Sequence, residues 1–204
     1  MNQDRREQVR PFLRAGEHLV AVCAYELAPG VPTPPEELLP PEDHSALHRR
    51  IEAKLPKPLA QLVRNRVDPR RSRPAAADRP AHAVDQPGAR PQSGTSMEGG
   101  WESAAGHFLI SRAGARGSVD GVLAVTDRRW FGLTDVSHLW QSTPVMKEYW
   151  EVPRSAVAAV RARPTGALQR GRMDLEFADL SWVALLASVP GQAVPFAEAA
   201  AHYR

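Results

Sequence analysis

Residues 173–186 read MDLEFADLSWVALL, and the first five of them alternate strictly between apolar and polar side chains. In a β-strand this alternation places the apolar side chains, from Met173 to Phe177, on one face. The chain then turns at 178–179 and returns as a second apolar run over 181–186. Two such runs joined by a short polar break predict a β-hairpin.

Further strand candidates precede this hairpin. Residues 19–27 are small and β-branched without a helical stripe, which predicts a strand that is buried on both faces. Later strands are predicted at 107–111, 122–126, 130–133, 147–152 and 157–163. The polar run 127–129 is either a tight turn or the middle of one long strand. Pro195 and the apolar face that contains Phe196 predict a short C-terminal helix.

Several short strands ahead of one closing helix predict a mainly β fold, a small, strongly bent antiparallel barrel with a C-terminal helix. Residues 10–28 form its predicted first strand, and 101–204 form the remainder. A long, partly helical and partly disordered insertion separates the two parts. It consists of a proline-rich linker at 29–42, a basic amphipathic helical segment at 43–67 and a disordered linker at 68–100.

The composition is that of one ordinary domain with irregular segments. The chain has 204 residues, 43% of them hydrophobic and 24% charged, and a net charge of +3 that weakly favours acidic partners. Its single cysteine, Cys23, lies in an apolar run, which indicates a buried thiol in a reducing compartment. No run approaches the roughly 20 apolar residues of a membrane span, and no signal-peptide core follows the first residues. We therefore expect a cytoplasmic protein, either free or peripheral at the inner membrane face.

Three segments resemble the bacterial pleckstrin-homology-like (PH-like) and GRAM-like domains. Residues 123–131, LAVTDRRWF, are similar to a strand of that family, and 149–153, YWEVP, with the valines that follow resemble a second motif. Residues 175–183, LEFADLSWV, resemble its last hairpin, and Gly16-Glu17 is similar to the Gly-Glu that often opens such domains.

The resemblance covers about residues 10–28 and 101–204. It implies a roughly seven-stranded, strongly bent β-barrel that is plugged at one end by the terminal helix and is used for binding rather than for chemistry. One departure is Leu180, which stands where the family commonly has glycine in an Asp-Gly turn.

The sequence indicates no enzyme. It contains no nucleophile elbow, P-loop, dinucleotide fingerprint or H-E-x-x-H motif. His44 and His48 lie four residues apart on a predicted helix, but no further metal ligand accompanies them. Asp174 and Glu176 are interpreted as the solvated face of a strand rather than a catalytic pair. We predict no catalytic residue, no metal site and no cofactor.

The candidate binding residues are aromatic or basic. Trp140, in the polar loop 137–142, is the strongest single candidate, whereas Trp150 and Trp182 are predicted to be core residues. The arginines that could accompany it are Arg128, Arg129, Arg161 and Arg163. In the insertion, the basic residues Arg49, Arg50 and Lys54 either lie on anionic lipid or face water.

These features predict a non-enzymatic PH-like interaction module whose partner is a protein or the inner membrane surface. One alternative is a membrane-recruited module that uses the basic insertion on anionic lipid. Another is a nucleic-acid-binding module, whose affinity would fall steeply with salt. The sequence leaves the oligomeric state open.

Overall fold

The computed structural model describes residues 2–40, 96–115, 117–137, 143–163 and 169–202. Their α-helices are α1 (Asn2–Val9), α2 (Ala104–Gly114) and α3 (Ala193–His202). Their strands are β1 (Leu19–Leu27), β2 (Met97–Glu98), β3 (Gly121–Thr126), β4 (Arg129–Asp135), β5 (Met146–Pro153), β6 (Val157–Ala162), β7 (Arg172–Phe177) and β8 (Trp182–Ala187). Short 3-10 turns lie at Arg10–Phe12, Glu36–Leu38, Arg154–Ala156 and Pro190–Gln192.

All strands belong to one antiparallel sheet in the order β5-β4-β3-β1-β8-β7-β6, with the short β2 paired to β8. This confirms the predicted fold class, a mainly antiparallel β structure with a C-terminal helix. The sheet is not closed into a barrel. Strands β5 and β6 form the two ends of the path, and no pairing joins them in the described part of the chain.

Two hairpins follow directly from the local sequence. Val125 pairs with Trp130, so the polar run 127–129 is not the middle of one long strand: the chain turns tightly at 127–128, and Arg129 begins β4. The Thr126 hydroxyl holds this turn by accepting hydrogen bonds from the backbone N–H groups of Arg128 and Arg129, at 3.2 and 3.0 Å. The hairpin between β7 and β8 is also confirmed, with Glu176 opposite Trp182.

Strand β1 is buried on both faces, as predicted. Cys23 and Tyr25 point into the larger core cluster, whereas Val22 points into a smaller cluster on the other face. That second face is covered by the N-terminal segment, which contributes Val9 at the end of α1. The sequence did not predict this helix.

The prediction of a strand at 107–111 is wrong, because these residues lie in α2. Ser103 is the N-cap of this helix, and its hydroxyl accepts the backbone N–H of Gly106 at 3.2 Å. The residues that α2 buries include Ala105, Phe108 and Leu109, spaced three and four positions apart. A short apolar run is compatible with a strand, and the cap and the wider helical spacing decide against it.

The last residues of the predicted disordered linker are structured. Met97 pairs with Val183, so part of the predicted linker 68–100 is the strand β2. The predicted helical segment 43–67 and the rest of that linker up to residue 95 lie outside the described residues.

The larger core cluster lies beneath α2 and α3. Phe108 of α2 packs edge-on against Trp150 with the ring centroids 5.0 Å apart, and Phe196 of α3 meets Trp130 at 6.2 Å. Trp150 and Trp182 are buried, as the sequence predicts. Both helices therefore pack against the same core, and α3 lies beside the end strand β6.

Candidate functional site

An open groove of about 510 Å³ lies between β6 and the end of α3. One side is residues 157–160 of β6, and the other is Ala200 and Ala201 of α3. Trp130 and Ala178 complete its apolar lining, and the turn before β6 adds Arg154 and Ser155. The groove thus lies along the strand at which the sheet stops.

Small side chains and one arginine shape the groove. Alanine on both walls leaves space that larger residues would fill. Arg154 fixes the far wall, because its guanidinium donates to the carbonyl of Ala200 at 2.6 Å and to that of Thr126 at 2.8 Å. A basic side chain on the last carbonyls of a helix is a favourable C-terminal contact.

The backbone of β6 has one paired edge and one unpaired edge. Its register with β7 places Arg161 opposite Asp174, and the N–H of Arg163 donates to the carbonyl of Arg172 at 2.8 Å. Because antiparallel strands turn alternate residues toward the partner, Val160 and Ala162 direct their N–H and C=O groups away from β7. Within the described ranges β6 pairs with no other strand.

Trp130, which lines the groove, carries an unsatisfied buried donor. Its side chain is buried, and its indole N–H has no hydrogen-bond partner among the residues that the structure describes. A buried donor without an acceptor costs roughly 1–3 kcal/mol. Such a group indicates that an acceptor from outside this part of the chain would be stabilising here.

The opposite end of the sheet, at β5, combines charges, a proline and a register shift. Strand β5 carries Lys147, Glu148 and Glu151 and ends in Pro153. Its pairing with β4 is also interrupted by a register shift between Gly132 and Leu133. Charges, proline and bulges are the usual devices that keep an edge strand from pairing. Strand β6 also has a register shift, between Val157 and Ala159, and one charged residue, Arg161, but its other residues are small and apolar.

Two of the predicted binding residues lie at this edge: Arg161 is on β6, and Arg163 directly follows it. Their side chains are 60% and 42% exposed, and they contact β7. Nε of Arg161 lies 2.9 Å from the Glu176 carboxylate, and Nε of Arg163 lies 3.1 Å from Asp174. The interpretation of Asp174 as solvated is wrong, because Arg163 and Arg172 cover it and leave it buried.

Arg128 lies near one end of the groove. Its side chain is 62% exposed in the turn between β3 and β4, with Nε 3.9 Å from Asp127. Its backbone carbonyl accepts the N–H of Arg154 at 2.9 Å.

Arg129, by contrast, is a buried residue of an internal ion-pair network. It stacks on Phe131 with the guanidinium carbon 4.3 Å from the ring centroid, and it donates to the carbonyl of Phe12 at 2.7 Å. Its guanidinium also lies 3.0 Å from the carboxylate of Glu17 and contacts Glu148 and Glu151. The sequence could not show this, because Glu17 is 112 positions away.

The protonation of this cluster follows from its contacts. Burial disfavours the charged form of Glu17, but hydrogen bonds from the Arg14 N–H, Thr126 and Arg129 outweigh it and lower the pKa of Glu17. Burial also opposes the charge of Arg129, yet Glu17 and Glu148 raise its pKa above the ordinary value. The cluster therefore ties the N-terminal segment to β4 and β5 as an ionised network.

The remaining predicted binding residues, Trp140, Arg49, Arg50 and Lys54, lie outside the described residues. Sequence reasoning missed the groove itself, since it forms between segments that are distant in the chain. The local sequence feature that corresponds to the groove is the run of small residues over 157–162, VAAVRA. From the sequence alone this run predicts only a strand.

Other kinds of site find little support within the described ranges. There, no group of three or more His, Cys, Asp or Glu side chains could hold a metal ion, and no helix is long and apolar enough to cross a membrane. Burial raises the pKa of Cys23 to about 12, so its thiol is a poor nucleophile. Comparison with known proteins found neither a matching family model nor a matching curated protein.

Proposed function

We propose that this chain is a non-enzymatic, cytoplasmic PH-like interaction module that binds an extended segment of a protein partner along β6. The antiparallel path of seven strands that leads to a C-terminal helix supports the resemblance to PH-like domains. The site, rather than the fold, supports the choice of partner.

The observation that carries the proposal is the coincidence of an unpaired strand edge with an apolar groove. An extended peptide that adds to such an edge gains main-chain hydrogen bonds from the strand. Alternate side chains of the peptide then enter the neighbouring pocket, which confers specificity. Here the edge groups belong to Val160 and Ala162, and the pocket is the groove between β6 and α3.

Trp130 adds a second reason to expect a polar, peptide-like ligand. No described residue accepts its buried indole N–H, and a backbone carbonyl or side-chain oxygen of the partner would satisfy it if the groove widened on binding. A purely apolar ligand would leave this donor unsatisfied. The membrane and nucleic-acid alternatives depend mainly on Trp140 and residues 43–67, outside the described ranges, so the proposal is confined to a protein partner.

Selection of peptides on the full-length chain tests this function. A display library of random peptides about eight residues long, the length of a typical strand with flanking residues, is selected, and the enriched peptides are synthesised. We expect dissociation constants in the micromolar range and changes in the amide NMR signals of β6 and α3.

The decisive variant is Val160→Pro, which removes an N–H that faces the open edge and leaves the ladder to β7 intact. Val160→Ala is the matched control, because it loses a similar amount of packing and keeps the N–H. We expect Val160→Pro to weaken binding about tenfold or more, because one hydrogen bond to the peptide is lost and the adjacent one is distorted. Val160→Ala should weaken binding by less than about threefold.

Thermal unfolding of both variants establishes that they remain folded. Three results would overturn the proposal: enriched peptides that perturb a surface other than β6 and α3, equal binding by both variants, or a library that yields no binder.

A further inference from the structure

We infer that the segment bound along β6 alternates acidic residues with small apolar residues. This inference rests on the proposed function and specifies the partner chemistry of the same site. It follows from the two faces that β6 presents to a strand added at its edge.

The inner face of β6 selects small apolar residues. Val160 and Ala162 are half-buried and pack against the main core cluster. Directly opposite side chains in adjacent strands lie about 5 Å apart, so the residues beside these two would enter the groove. Ala200 and Ala201 close its far wall and leave room for small side chains.

The outer face of β6 selects acidic residues. Arg161 and Arg163 alternate with the two inner residues and are the last row of side chains before the open edge. The next row inward, on β7, contains Asp174 and Glu176, which face these arginines. A basic row on the β6 side thus lies outside the carboxylates of β7, and a row of carboxylates on an added strand would contact these arginines from the open side.

Along β6 and β7 this face carries three arginines and two acidic residues, while Glu98 and Glu26 lie farther inward, on β2 and β1. Arg161, Arg163 and Arg172 stand against Asp174 and Glu176, and Arg172 also lies over the ring of Trp182 at 5.9 Å. A guanidinium presents five N–H groups and can contact two carboxylates at once. For Arg161 the structure records contacts from Nε to Glu176, which is directed toward β7. The Arg161 side chain is 60% exposed and lies at the edge along which a new strand would pass.

Three synthetic peptides test this inference on the full-length chain. Each has four repeats of a two-residue unit, Asp-Val, Asn-Val or Lys-Val, with blocked termini. We expect the Asp-Val peptide to bind about fivefold more tightly than the Asn-Val peptide, the combined effect of two cross-strand ion pairs. The Lys-Val peptide should bind most weakly.

Salt and two variants identify the source of the preference. The difference in affinity between the Asp-Val and Asn-Val peptides should be present in about 50 mM sodium chloride. It should shrink in about 500 mM sodium chloride, because salt screens the charges of exposed arginines. Arg161→Gln should reduce the preference for Asp-Val over Asn-Val to about half or less. Arg6→Gln makes the same change of charge on α1, which covers the other face of β1, and should leave the preference unchanged.

Equal binding of the Asp-Val and Asn-Val peptides, or a preference that Arg161→Gln leaves intact, would overturn the inference. The inference would also be overturned if none of the three peptides bound while library-selected peptides did. In that case the proposed function would still stand. If no peptide of either origin bound, both proposals would fail.

Discussion

Leu180 should destabilise the fold of this chain, and its replacement by glycine should raise the stability. The residue has a φ of +70°, in the left-handed region that disfavours side chains with a Cβ atom. Its N–H donates to the carbonyl of Phe177 at 3.1 Å, so the turn holds it in this conformation. The side chain is 87% exposed and therefore contributes little burial in return.

The magnitude follows from two opposing terms. The left-handed conformation costs a non-glycine residue about 1–2 kcal/mol. Glycine removes this strain but adds about 0.4–1 kcal/mol of conformational entropy to the unfolded chain. We therefore expect Leu180→Gly to increase the free energy of unfolding by about 0.5–1 kcal/mol. For a chain of this length the melting temperature should rise by about 1–4 °C.

Thermal unfolding by circular dichroism measures this change, with Leu180→Ala as the matched control. Alanine removes the same exposed side chain but keeps the Cβ atom, so the melting temperature should change by less than about 1 °C. If Leu180→Gly were no more stable than Leu180→Ala, the left-handed strain would not be the source of the effect and the reasoning would be refuted.

Three further predictions concern the interior. The pKa of Glu17 is lowered from its ordinary value of 4.5, so its stabilising effect is present above that pH and is lost as the pH falls below it. Urea unfolding should therefore show Glu17→Gln less stable than the natural chain at about pH 7, with a smaller difference at about pH 3.5, and a constant difference would contradict this. Cys23 should resist alkylation in the native chain and react only on unfolding, as mass spectrometry can show, whereas rapid native labelling would disprove its burial. Gly132→Ala should cost about 1–3 kcal/mol in unfolding experiments, because the new Cβ would lie 2.5 Å from the ring of Tyr149, while Gly191→Ala, with open space around it, should change little.

Local patterns in the sequence were sufficient for the hairpins. The strict alternation over 173–177 predicted β7 correctly, since Met173, Leu175 and Phe177 all point into the main core and the period is two. The polar pair 127–128 could not be assigned from periodicity alone. It is a turn because the Thr126 hydroxyl accepts hydrogen bonds from the backbone N–H groups of Arg128 and Arg129. The spacing of apolar residues does not reveal such a side-chain contact.

Features that depend on distant contacts were not predictable. Phe108 and Leu109 fit a strand as well as a helix, and only Ser103 gave a local sign of the helix start. The burial of Arg129 depends on Glu17, from a different segment. The groove forms where β6, α3 and Trp130 come into contact. The periodicity of a sequence gives no information about contacts between distant segments.

Amide hydrogen exchange of the full-length chain with a library-selected peptide bound tests the central claim most directly. We predict that exchange of the Val160 and Ala162 amides slows about tenfold or more, because these N–H groups would become hydrogen-bonded to the peptide. The Arg163 amide, which already donates to β7, serves as an internal reference and should change little. Unchanged exchange at Val160 and Ala162 under saturating peptide would contradict strand addition at β6.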